Sequence, residues 1–389
     1  MMQISYKKIF WINVFIVIVV ALNLRAPITS LGPMIEHIKE YYNINSALAG
    51  MLTALPLIAF GFVSFFVSYF SQVRALLFAL LLILIGEIIR SYGGKIGLFS
   101  GVFFIGSGIA IANVLLPSFI KEKFSKKSSN IMGLYSLFLG ISSIVGVALS
   151  LPLLNIFNIK EAMIFWIIFA FLAIIFYLPH LKNKRLIRNQ NKKYINLDIF
   201  KSLDAWKITI LMGLQSFLSY SLFAWLSVII SQKGYDIGFG SNILLLSQII
   251  GLPVAFLTPV ILGKIQYKIR IFYILSLSIA YFLSFCMLLF FDSKVALFCV
   301  AFLIGCGSSG IFTITLLLIA TKSSNTAIAA KLSAMSQGIG YLIAAQAPWV
   351  IGIFHDKFGN FNFGLLLLIL VGILLNIFVF LAYNAKVIK

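Results

Sequence analysis

Apolar positions in this chain follow neither the two-residue period of a half-buried strand nor the single stripe of a surface helix. They form continuous runs of about 20 residues, separated by short polar or basic stretches. A run of that length crosses the hydrocarbon core as an α-helix, which pairs its backbone donors and acceptors internally. Twelve such segments can be read, at 9–34, 46–70, 74–91, 96–120, 130–155, 161–180, 206–231, 241–263, 270–291, 294–320, 328–354 and 361–384. One longer polar stretch divides them six and six. The pattern predicts an all-α polytopic membrane protein with a six-helix bundle over 1–180, a linker over 181–204 and a second six-helix bundle over 205–389.

Composition agrees. The chain is 61% hydrophobic and 10% charged, where a soluble domain is nearer about 25% charged. The first run is expected to stay in the protein, because it runs into a charged, proline-containing stretch and has no small-residue cleavage site. A net charge of +20 on a soluble chain would point to nucleic acid. Here it reports topology, since basic residues mark cytoplasmic loops. With the N-terminus inside, the inner loops and tails hold twenty-two of the 30 Lys and Arg, the outer loops seven, and Arg25 is the last. Both termini and the central loop are therefore expected in the cytoplasm, and the protein in the cytoplasmic (inner) membrane. Cys286, Cys299 and Cys306 lie in apolar runs, and His37, His180 and His355 share no ligand spacing. With no nucleotide-binding loop, metal pair or catalytic triad, no cofactor and no enzymatic activity are expected.

The exception to the apolar pattern lies in segment 1, at Asn23-Leu24-Arg25-Ala26-Pro27-Ile28-Thr29-Ser30-Leu31-Gly32-Pro33. An arginine in mid-membrane costs about 3 kcal/mol on insertion scales, and guanidinium cannot shed its proton. Such a residue should face a polar cavity, a partner or a ligand. Pro27 and Pro33 remove amide donors beside it.

Two echoes suggest an internal duplication. Ile105-Gly106-Ser107-Gly108 in segment 4 matches Ile304-Gly305-Cys306-Gly307 in segment 10, and Leu55-Pro56-Leu57 matches Leu252-Pro253-Val254 at a similar offset. Parallel repeats of this kind occur in transporters. Four further stretches carry a resemblance. They are Asn23-Leu24-Arg25-Ala26-Pro27, Ala112-Asn113-Val114-Leu115-Leu116-Pro117, Gly213-Leu214-Gln215-Ser216 with Tyr220 and Ala224-Trp225-Leu226, and Leu332 to Tyr341 followed by Gly352, His355 and Asp356. Together with the twelve segments, they make the chain resemble the cyanate permease and 2-nitroimidazole transporter branch of the major facilitator superfamily. The resemblance implies two six-helix bundles around a central cavity that opens alternately to each side. It also implies that segments 1, 4, 7 and 10 line the cavity, with contributions from 2, 5, 8 and 11. One departure stands out. The superfamily's Gly-x-x-x-Asp-Arg pattern between segments 2 and 3 is replaced by Ser68-Tyr69-Phe70-Ser71-Gln72-Val73-Arg74, which keeps a base and loses the acid.

The candidate substrate-binding residues are Arg25, Thr29, Asn113, Gln215, Tyr220, Gln337 and Tyr341. Arg25 reads either as a cavity charge or as half of an ion pair with Glu87. Thr29 shares its face on an unbroken helix. Ser216, Tyr220, Phe223 and Ser227 form one stripe of segment 7 with Gln215 beside it, and Gln337 and Tyr341 share a face of segment 11. Each could instead be a helix–helix contact. Glu87 is the candidate coupling residue, against the reading that it pairs locally with Arg90 at i+3. The glycine pairs read as close-packing positions, and Trp225 as an interfacial aromatic. These features suit a secondary transporter of a small anionic or polar solute, with multidrug-type efflux as the alternative. The expected partners are that solute, a proton as candidate co-transported ion, and membrane lipid, without nucleic acid. Because both bundles lie in one chain, a monomer is expected.

Overall fold

The computed structural model describes residues 6–66, 72–124, 128–179, 197–324 and 326–388. Among these residues there is no strand, only an isolated parallel bridge between Ser323 and Ile388. The helices are α1 (Tyr6–Asn23), α2 (Ala26–Thr29), α3 (Leu31–Tyr42), α4 (Ser46–Phe66), α5 (Gln72–Tyr92), α6 (Gly94–Phe124), α7 (Ser128–Ile156), α8 (Ile159–Ile164) and α9 (Ile167–Tyr177). They continue as α10 (Leu203–Gln232), α11 (Ile237–Lys264), α12 (Tyr267–Phe290), α13 (Lys294–Thr321), α14 (Thr326–Phe358) and α15 (Asn362–Tyr383). Twelve spans among the described residues are long and apolar enough to cross a membrane, and each falls on a predicted segment. The chain is a multi-pass membrane protein.

Two predicted segments are interrupted. Segment 1 is divided into α1, α2 and α3, and segment 6 into α8 and α9 at Phe165–Trp166. Residues 67–71, which hold most of the departing loop between segments 2 and 3, lie outside the described residues, as do 181–196 of the expected linker. The linker's described end is a 3₁₀ turn, Leu197–Lys201, followed by Ser202, whose hydroxyl caps α10 by accepting from the Ala205 amide.

Helix contacts gather the described residues into two compact units that do not follow chain order. The first comprises 6–31 and 62–179. In it α5 runs along α6, and α1 packs on α7 and α9. Gly108 on α6 permits the α5 contact, since a Cβ there would lie 2.5 Å from the Ala79 carbonyl. The second comprises 32–61 and 197–388. There α10 runs along α14, α11 packs on α13, and α12 packs on α13 and α15. Gly305 on α13 plays the corresponding part, because a Cβ at that position would meet the Ser247 carbonyl of α11 at 2.6 Å. Large apolar side chains remain on the outside, among them Phe256 and Phe272 at 75% exposure. In a bilayer these are surfaces for lipid.

Two residues sit deeper than their sequence positions suggest. Trp225, expected at the membrane interface, is fully buried in α10 and donates its indole N–H to the Pro348 carbonyl of α14 at 2.9 Å. A buried tryptophan needs one acceptor, and the neighbouring helix supplies it in place of interfacial water. Arg90, at the outer end of segment 3 and counted there among the outer basic residues, is 1% exposed inside α5.

Candidate functional site

In the first unit the polar residues converge on the break between α1 and α2. In an unbroken helix the Ala26 amide would donate to the Leu22 carbonyl four residues back. Here the Ser142 hydroxyl of α7 stands between them, accepting from the Ala26 amide at 2.9 Å and donating to the Leu22 carbonyl at 2.6 Å. Pro27 has no amide proton to offer the Asn23 carbonyl, so the next rung of the ladder is missing as well. An inserted side chain together with a proline is a sufficient cause for a helix break. Arg25 occupies the break, with φ at −132°, outside the helical region.

Thr29 lies on α2, just past the break. It is buried, and its hydroxyl faces the Arg25 carbonyl at 3.1 Å and the Ser143 carbonyl at 3.3 Å. Asn113 on α6 accepts from the Tyr135 hydroxyl of α7 at 3.0 Å. The Arg25 charge acts electrostatically on Tyr135. Tyr135 and Asn113 thus form a hydrogen-bonded pair between α7 and α6, within electrostatic reach of Arg25. Arg90 supports the other side of the break. Its Nη1 donates to the Pro27 carbonyl at 2.7 Å and its Nη2 to the Met163 carbonyl of α8 at 2.5 Å. Glu87, one turn before Arg90, is fully buried, and neither carboxyl oxygen has a hydrogen-bond partner among the described residues.

In the second unit, Gln215 on α10 is the centre of a network. Its Nε2 donates to the Ser219 hydroxyl at 3.0 Å and toward the Ser308 carbonyl of α13 at 3.4 Å, while its Oε1 accepts from Ser216 at 3.1 Å. Ser219 in turn shares a hydrogen bond with the Tyr281 hydroxyl of α12 at 3.0 Å. A separate aromatic cluster contains Tyr220, whose ring lies 6.0 Å from Phe223 and 6.2 Å from Tyr341, and Phe60 of α4, 5.4 Å from Tyr341. Gln337 is half-buried and donates to Ser333 one turn back on α14 at 2.7 Å. Among the described residues, no group of His, Cys, Asp and Glu could hold a metal ion.

Sequence reading missed Ser142, Tyr135, Tyr281 and the inward course of Arg90. Hydroxyls within apolar runs usually make helix–helix contacts, and nothing in their spacing distinguishes these. The one available signal was Arg90 itself, a second arginine beside an apolar run.

The profile of the Major Facilitator Superfamily matches residues 14–348. The uncharacterized transporter YycB of Bacillus subtilis (strain 168) is 37% identical over 371 residues, covering 93% of this chain and 91% of the relative. The 2-nitroimidazole transporter of Escherichia coli (strain K12) is 31% identical over 379 residues, covering 96% and 95%. The cyanate transport protein CynX of the same organism is 26% identical over 351 residues, covering 89% and 90%. Among solved structures, a D-xylose–proton symporter superposes with a TM-score of 0.74 at 12% identity, covering 97% of this chain and 98% of that one. At that identity the likeness concerns the fold.

Proposed function

The chain belongs to the Major Facilitator Superfamily, and on that premise we propose that it is a secondary active transporter of a small anionic or polar solute, working by alternating access in the cytoplasmic membrane with both termini inside. The family and these relatives are transporters. Their names supply two solutes to test, 2-nitroimidazole and cyanate, each with a compact electronegative group.

The observation that carries the reading is the built-in break at Arg25. The protein invests Ser142 and Pro27 in interrupting a membrane helix at its arginine. A helix that needed Arg25 only as a surface anchor has no use for such a break. The planar guanidinium suits a carboxylate-like or nitro group, through two parallel charge-assisted hydrogen bonds. Asn113 and Tyr135 add a hydrogen-bonded polar pair within electrostatic reach of Arg25. Within the second unit, taken by itself, the cluster of Tyr220, Tyr341 and Phe60 offers ring faces that suit a planar heterocycle, and Gln337 a half-buried amide. Gln215 and Thr29, engaged by their own networks, act by holding α10 and the break in shape.

The test is binding of cyanate and 2-nitroimidazole to purified variants, with folding checked by thermal denaturation. Hydrogen bonds to charged groups are worth about 1.5–3 kcal/mol, so Arg25→Ala should weaken binding by about 10- to 100-fold. Arg25→Lys keeps the charge without the fork and should fall in between. Tyr341 and Gln337 substitutions should change the preference between the two solutes. Unchanged affinity in a folded Arg25→Ala protein would rule the reading out.

A further inference from the structure

Glu87 is a buried acid for which the proposed solute site has no use. It is fully buried, yet its two carboxyl oxygens accept no hydrogen bond among the described residues. Arg90, one turn away on α5, is the charge that acts on it. Arg90 nevertheless spends Nη1 and Nη2 on two neutral carbonyls, those of Pro27 and Met163. An ionised carboxylate is a stronger acceptor than a peptide carbonyl, and a buried ionised carboxylate without hydrogen bonds is strongly disfavoured. An arrangement in which the guanidinium holds the carbonyls and leaves the carboxyl group alone is therefore that of a neutral, protonated Glu87.

We propose that Glu87 is a proton-binding site that controls the α1–α2 break through Arg90. With the proton on, Arg90 braces the Pro27 carbonyl and holds the break in the form seen here. When the proton leaves to water, the Glu87 carboxylate draws the guanidinium onto itself and away from Pro27, and the break loosens beneath Arg25. Arg90 is the positioning residue in this scheme. Of the elements packed on α5, α6 meets the turn before Arg90 with Gly101 and Ile105, α8 brings Met163, and α9 carries no charged residue and one titratable group, Tyr177 at its end. Charged residues of these elements, such as Lys95 and Lys123 on α6 and Lys160 and Glu161 on α8, lie at helix ends. Arg90 is the charge acting on Glu87 among the described residues. The consequence for transport, that a proton and a solute bias the same break, rests on the reading of Arg25 as the solute anchor. The proton site and its action on the break do not.

Both are therefore read without a solute, on the purified full-length protein. Infrared difference spectra between weakly acidic and weakly alkaline pH should show a carboxylic-acid C=O stretch that vanishes on alkalinisation and is missing in Glu87→Gln. Deuterium uptake of peptides covering 20–31, corrected for the chemical exchange rate, should rise on alkalinisation in wild type. A rise of roughly fivefold or more is expected, the low end for coupled sites. Glu87→Gln, a permanently neutral mimic, should keep the protected value at both pH extremes. A band that persists in Glu87→Gln, or uptake at 20–31 that is independent of pH in wild type, overturns the proposal. Should Glu87→Gln not fold, Glu87→Asp replaces it: an acid on a shorter arm must shift both titrations, and unshifted titrations overturn the proposal equally. If cyanate and 2-nitroimidazole both fail to bind while the band and the uptake titrate together, the solute reading falls and the proton site stands.

Discussion

Ser142 performs at one atom what a helix break in a membrane requires. Each backbone group released from the ladder must find another partner, because lipid offers none. One hydroxyl serves both sides of the gap, as acceptor for Ala26 and donor to Leu22. Ser142→Ala removes both bonds at once. Leaving a buried polar group unpaired costs about 1–3 kcal/mol, so the variant should melt at a lower temperature in detergent. It should also bind cyanate and 2-nitroimidazole less tightly, since α1 and α2 can relieve the loss by rejoining and turning Arg25. Ser142→Thr keeps the hydroxyl and should behave nearly as wild type. An alanine variant with unchanged melting and binding would show that the break does not depend on this residue.

Between elements, the same logic appears at the start of α4. Its first amides have no partner within the helix, and the Asp356 carboxylate, near the end of α14, accepts from Ser46 at 2.9 Å and Ala47 at 2.7 Å. An anion at a helix N-terminus also meets the positive end of the macrodipole. His355 joins the same corner, 3.0 Å from the Ser46 hydroxyl and 2.7 Å from Gln232 at the end of α10. Gly352 lets α4 approach, since a side chain there would collide with the Ser46 carbonyl. Asp356→Ala should destabilise the protein by about 0.5–2 kcal/mol, the usual range for losing an N-cap. Asp356→Asn, which keeps one acceptor, should cost less. Thermal denaturation of the two variants side by side checks the order, and equal melting of Asp356→Ala and wild type would show that the cap contributes nothing.

Over the whole molecule, the constraint is the bilayer. The twelve spans among the described residues arise because a run of apolar residues long enough to cross the membrane is stable there only as a helix. Orientation is a separate question, on which charge makes a prediction. The excess of Lys and Arg in one set of loops predicts that Asn189, in the basic stretch between segments 6 and 7, lies in the cytoplasm. A cysteine placed there in a background lacking the native cysteines should react with an impermeant maleimide in inside-out vesicles and stay unreacted in intact cells. Labelling in intact cells would invert the topology.

What the sequence determined by itself is what depends on local composition. Span number, membrane class and the position of the intramembrane arginine can all be read from runs of about 20 residues, and the four motif stretches pointed to the family before any contact was known. What it left open depends on which helix faces which. Ser142 is 116 residues from its partner Ala26, and Arg90 is 63 residues from Pro27 and 73 from Met163. The sequence pattern put Thr29 on the face of Arg25 for an unbroken helix, set Trp225 at an interface and left Glu87 between proton coupling and a local pair with Arg90. Tertiary structure turned Thr29 toward α7, buried Trp225 against α14, and gave Arg90's Nη1 and Nη2 to two carbonyls rather than to its neighbouring acid. The reason is the same in each case. In a solvent without hydrogen-bonding partners, a polar side chain takes whichever group the neighbouring helix presents, and that neighbour is chosen by packing across the fold.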